Sequence, residues 1–101
     1  MYRQGDVLII AVKEIPKDAV SIKSEDNITT VMLGEATGHH HSFYEPVEFT
    51  EQQKTGRRFL KLVHPVALRH QEHAPIEVKP GKYEVIRQKE FDDMGWRKVL
   101  D

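Results

Sequence analysis

The chain contains no cysteine. That excludes disulfides, thiolate nucleophiles and cysteine-based zinc sites, so any metal must be held by His, Asp or Glu. Long apolar runs are also missing. The apolar stretch nearest the start, Val7 to Val12, lies between Asp6 and Lys13. It falls short of the ~7–15 apolar residues of a signal-peptide core, and no small-residue cleavage site follows. Nothing approaches the ~18–20 apolar residues of a membrane span, and cytoplasm is the expected location. Charge of one sign is not in excess: 15 basic residues meet 16 acidic ones, so no global field draws the protein to nucleic acid or a membrane surface. Apolar residues are scarce at 39%, and charged ones abundant at 31%, against the usual ~45–50% and ~25%. The core is therefore lean or completed by another copy. With several strands able to form open edges, this leads us to expect a homo-oligomer. Phosphate loop, dinucleotide fingerprint and hydrolase elbow are all absent.

What is present is a succession of short β-prone segments between frequent turns. Val7 to Val12 is dense in β-branched residues, too short for a helix, and reads as a strand buried on both faces. Ala19 to Lys23 is a weaker strand, followed by a turn at Ser24-Glu25-Asp26-Asn27. Ile28 to Leu33, His39 to Glu45, Val47 to Thr50, Arg58 to Val63 and Val66 to Arg69 follow as strands. Thr50 to Lys54 offers the one helix start, but Gly56 arrives before two turns are complete, and the segment reads as a loop. Pro75 to Lys79 alternates apolar and polar as a half-buried strand should. After a Pro80-Gly81 turn, Lys82 to Phe91 is the longest extended segment, and Trp96 to Leu100 is its expected hairpin partner. About eight to ten short strands at this spacing predict one all-β domain over residues 1–101, a small barrel or sandwich.

Chemistry, if any, lies in six unevenly placed histidines. His39, His40 and His41 are adjacent, His70 and His73 form a second group, and His64 stands between. On a strand, His39 and His41 share a face while His40 points away. Same-face neighbours are about 7 Å apart, and two imidazoles can lean from there to one ion at Zn–N distances of roughly 2.0–2.1 Å. His-x-His on a strand is thus a bidentate clamp. His70 and His73 would face apart on a strand but together in a tight turn, which Pro75 and the polar neighbours favour. Together the two groups can enclose a divalent transition metal, or three can bind and leave a water position. Zinc, nickel, manganese and iron are all compatible. Glu35, Glu45 and Glu72 are candidate carboxylate ligands, imidazole partners or general bases. Gly34 and Gly38 bracket the approach to His39, either holding the backbone tightly or forming an ordinary hairpin loop. The competing reading is plain polar surface. His64 is placed outside the ligand set.

Two further readings belong to other classes. Arg57-Arg58-Phe59-x-Lys61, and Arg87 to Lys98 with Phe91 and Trp96, interleave basic and aromatic residues as single-strand nucleic-acid platforms do. Against this, Phe59 and Trp96 fall where core residues are needed, and nearby carboxylates cancel the charge. The other alternative is a structural module, an assembly subunit of a phage or bacterial homo-oligomer, with the histidines at subunit contacts.

His39-x-His41-x3-Glu45 after Gly34 resembles the first metal motif of the cupins, and Pro80-Gly81-Lys82-Tyr83 is similar to the turn before their last ligand. That likeness implies a β-barrel holding a divalent metal by two His, a Glu and a later His. Tyr83 stands where the last histidine belongs, and the glycine that closes the first motif is displaced. The whole chain also resembles small proteins of bacteria and their phages that share Gln4-Gly5-Asp6-Val7-Leu8, Thr37-Gly38-His39-x-His41 and Tyr83-x-Val85-x-Arg87-Gln88. That resemblance implies no reaction. Gly5-Asp6-Val7-Leu8 is similar also to β-rich serine–lysine peptidases, but Ser21, Ser24 and Ser42 lack the surrounding motif.

Overall fold

β-Branched and aromatic residues between closely spaced turns leave the backbone little choice but short extended segments. The computed structural model describes residues 1–34, 38–89 and 91. Within them run ten strands: β1 (Tyr2–Gln4), β2 (Val7–Ala11), β3 (Val20–Ser21), β4 (Thr29–Leu33), β5 (His40–Phe43), β6 (Glu48–Gln52), β7 (Arg57–Leu62), β8 (Val66–Arg69), β9 (Ile76–Val78) and β10 (Gly81–Arg87). They form two sheets, ordered β1-β2-β10-β7-β6-β3 and β4-β5-β8-β9, and every pairing between these strands is antiparallel. The architecture is a sandwich, not a closed barrel.

Side-chain alternation explains how the two layers meet. Val7 and Ile9 of β2, Leu60 and Leu62 of β7 and Val85 of β10 join the same core as Val31, Phe43, Leu68 and Val78 of the smaller sheet. Leu8, Ile10 and Ile86 form a second buried cluster, with Phe91 against it. β2 is therefore buried on both faces, as its unbroken apolar run requires. On this second face Glu84 is also buried, its carboxylate gripped by Arg57 at 2.8 and 3.0 Å.

Turn chemistry sets the registers. Gly5, with φ of 58°, occupies the first position of the two-residue turn joining β1 to β2, where a side chain would be strained. Asp26 and Asn27 both have positive φ and close the Glu25–Ile28 bridge, as short polar side chains allow.

Three details depart from the sequence expectations. Tyr2–Gln4 is a strand that three residues were too few to signal. Thr50, Glu51 and Gln52 belong to β6, not to a loop; the turn begins at Gln53. β10 ends at Arg87, and Gln88, Lys89 and Phe91 have helical backbone. Its partners are β2 on one edge and β7 on the other. Both edges are thus filled across Tyr83–Val85, where the sequence suggested a closing hairpin. The expected arm, Trp96 to Leu100, lies outside the described residues. Among the described residues no helix is long and apolar enough to cross a membrane.

Candidate functional site

One end of the sandwich, between the two sheets, collects the histidines. Alternation along β5 turns His41 inward with Phe43 and sends His40 and Ser42 to the other face. His70 follows Val66 and Leu68 in the same inward phase, just past the end of β8. Gln71, Glu72 and His73 then bend, so the spacing of three brings His70 and His73 together as a turn should.

The four imidazoles are in contact. His70 is central, with ring centroids 4.3 Å from His41, 4.6 Å from His73 and 5.4 Å from His39. His41 and His73 are nearly parallel, 6.3 Å apart. Two glycines make room for them. A Cβ at Gly5 would lie 2.5 Å from His73 Nε2, and one at Gly34 would lie 2.9 Å from His39 Cβ and 3.2 Å from His70 Nε2.

The surrounding polar groups come from residues that sequence reasoning did not select. Gln4 is buried at the end of β1; its Nε2 donates to the carbonyls of Leu68 (2.8 Å) and Ala74 (3.0 Å). His41 Nδ1 lies 2.9 Å from Gln4 Oε1, and His41 Nε2 lies 3.3 Å from Asp6 Oδ1. Arg87 donates to Asp6 Oδ2 at 2.6 Å and to the Leu33 carbonyl at 3.1 Å. The Glu72 amide donates to His70 Nδ1 at 3.0 Å. The fold brings Gln4 and Asp6, from the first turn of the chain, and Arg87, from the end of β10, to the histidines.

Burial pushes the His41 imidazole down to about 4, the nearby His70 ring adding to the effect against the opposing pull of Asp6. Burial also lowers His70, reinforced by His73 and His39. Both rings are neutral at pH 7, the form that binds metals. The rings pack against one another, however, and do not aim their nitrogens at one point. Among the described residues no group of three or more His, Asp or Glu side chains has the donor arrangement of a metal site.

The remaining candidates are dispersed. Glu45, the carboxylate of the cupin-like motif, meets His64 at 2.7 Å. Tyr83 is a core residue whose hydroxyl donates to the Lys79 carbonyl. Glu72 comes only within 3.9 Å of His39 Nε2, and Glu35 lies outside the described residues. His40 Nδ1 contacts Ser42, whose hydroxyl donates to Thr30 at 2.9 Å. In the basic–aromatic stretch, Phe59 is buried and so offers no stacking face, while Arg57 and Arg58 pair with Glu84 and Glu51. Trp96, Arg97 and Lys98 lie outside the described residues.

Comparison with curated proteins and with solved structures yields no match. A family model does match, over residues 3–88, from β1 to just past β10, and so takes in the whole histidine end of the sandwich. The chain belongs to the family described as Domain of unknown function (DUF8820).

Proposed function

We propose that the protein binds one divalent transition metal ion at the histidine end of the sandwich, with ligands drawn from His39, His41, His70 and His73. One observation carries this reading: imidazoles from two separate sequence groups cluster around His70, whose ring centroid lies 4.3–5.4 Å from those of His41, His73 and His39. Unbound, a neutral imidazole gains little from three others, because each ring also needs partners for its nitrogens. An ion that accepts several nitrogen lone pairs gives such a cluster a purpose. Coordination requires the rings of His39, His70 and His73 to turn about their side-chain torsions, and His70 Nδ1, if it is the ligand, to give up the Glu72 amide; the exposed His73 offers the path inward. Imidazole donors suit zinc, nickel and iron, and a carboxylate widens the choice to manganese.

The test is elemental analysis of protein purified without a tag, followed by calorimetric titration of the metal-free protein with Zn²⁺, Ni²⁺, Fe²⁺ and Mn²⁺. The expected outcome is about one ion per chain, with affinity falling between about pH 7 and 5 as protons compete for the imidazoles. Protein that arrives metal-free and gives no heat with any of these ions rules the proposal out.

A further inference from the structure

We infer that the ion is held between Nε2 of His41 and Oδ1 of Asp6, and that Gln4 is the positioning residue that makes His41 present that nitrogen. The inference rests on the metal reading above and adds to it a carboxylate ligand, the identity of the binding nitrogen and a residue that sets it.

The argument begins with Gln4. Its amide nitrogen faces two backbone carbonyls, those of Leu68 and Ala74, at 2.8 and 3.0 Å. Carbonyls only accept, so the NH₂ end of Gln4 must point at them, and the Oε1 end is the one left facing His41. Oε1 is likewise an acceptor, 2.9 Å from His41 Nδ1. A neutral imidazole has a single N–H, and here it is drawn to Nδ1. Nε2 is then a bare lone pair.

That lone pair meets another acceptor. Asp6 Oδ1 stands 3.3 Å away, and Asp6 Oδ2 is held by Arg87 at 2.6 Å, which fixes the carboxylate in place. His41 is 1% exposed and the Asp6 side chain 28%, so the pair is shielded from water on the imidazole side only. Two acceptors facing each other at a partly buried position repel unless a cation lies between them. A proton would bring a charge-assisted pair to roughly 2.7–2.9 Å, shorter than the observed 3.3 Å. A tetrahedral ion with metal–ligand bonds of roughly 2.0–2.1 Å separates neighbouring donors by about 3.3 Å. The observed spacing matches the edge of a coordination tetrahedron. His70, whose ring lies 4.3 Å from that of His41, is the nearest source of a third ligand. A glutamine acting on a ligand imidazole in this way is the outer hydrogen bond that metal-binding histidines usually require.

The experiment uses untagged full-length protein and Zn²⁺ as the probe. Long-range ¹H–¹⁵N spectra of the metal-free protein at pH 7 should show His41 as the Nδ1–H tautomer; on adding Zn²⁺, Nε2 should shift as a metal ligand while Nδ1–H persists. In calorimetry, Asp6→Asn and Gln4→Met should each weaken Zn²⁺ binding about ten- to a hundredfold, while His40→Ala leaves it unchanged. A His41 that carries its proton on Nε2, or on both nitrogens, in the metal-free protein overturns the inference. So does zinc bound by wild type with equal affinity in Asp6→Asn; in that case the metal reading stands and this one falls. Failure of wild type to bind any of Zn²⁺, Ni²⁺, Fe²⁺ and Mn²⁺ overturns both. The wild-type spectra decide the matter even if a variant does not fold.

Discussion

His40 and His41 are neighbours in the chain with opposite surroundings. His41 is enclosed between the sheets with Gln4 and Asp6; His40 lies on the far face, where its amide donates to Gln71 at 2.8 Å. His41→Ala should therefore abolish stoichiometric zinc and leave Gln4 Oε1 unpaired, at a cost of about 1–3 kcal/mol in urea unfolding. His40→Ala should change metal content little, which elemental analysis of both variants checks. The same enclosure gives a pH dependence. Unfolded, His41 titrates near 6.5; folded, near 4. Between these values the unfolded chain binds more protons, so His41's contribution is complete above pH 6.5 and is lost as pH falls toward 4. The loss is on the order of 3 kcal/mol, and the lowered His70 acts in the same direction. Unfolding free energies at pH 7.5 and 4.5 should differ by that much more in wild type than in His41→Gln; equal differences would contradict the assignment. At this scale the sequence was legible where alternation along one segment decides the outcome, as for His39, His40 and His41. It was silent on Asp6 and Gln4, whose partners lie 35 and 37 positions away. No local pattern encodes such a contact.

Strand elements were legible wherever β-branched residues met turn signals. β2, β4, β7, β8 and β9 fall within or one residue outside the expected segments. β10 was expected from Lys82 to Phe91, one residue late at its start and four past its end at Arg87, because Glu84 and Ile86 continue the alternation whichever partner lies alongside. Which strands neighbour it is decided by burial on both faces, a tertiary property. Glu84 makes the cost of that position testable. Its carboxylate is buried and answered by Arg57, whose guanidinium also covers the Phe59 ring at 5.3 Å. Arg57→Met strands a charge against apolar neighbours and should cost about 3–5 kcal/mol in urea unfolding. Arg57→Met with Glu84→Leu should recover most of that loss. A single variant as stable as wild type would show that the pair contributes nothing.

For the whole molecule, the all-β class followed from composition and spacing, whereas the choice between barrel and sandwich did not, because identical strands serve both. The sandwich matters to the site. Asp6 belongs to the turn before β2 in the larger sheet, while His41 and His70 follow the smaller one. An ion shared between them would join the layers at one end, much as Gln4 already does through Leu68 and Ala74. Zn²⁺ at a hundred times its dissociation constant should add about 2.7 kcal/mol to stability, seen as a raised Tm that a chelator reverses. An unchanged Tm under saturating zinc would argue against a site that spans both sheets.

The position of β10 sets an order of events. It is the tenth strand along the chain, yet it lies between β2 and β7 and, among the described residues, supplies the only ladder joining β1-β2 to β7-β6-β3. Until residues 81–87 leave the ribosome, the larger sheet lacks the strand that joins its two parts, and β2 and β7 each keep an unpaired edge. Closing it requires β2 to find a partner more than seventy positions further on, and such distant pairing slows folding. The nascent chain is therefore most vulnerable to misassociation just before β10 emerges. A ribosome-bound chain stalled there should be cut freely by protease, and one stalled after β10 and the residues that follow have cleared the exit tunnel should resist.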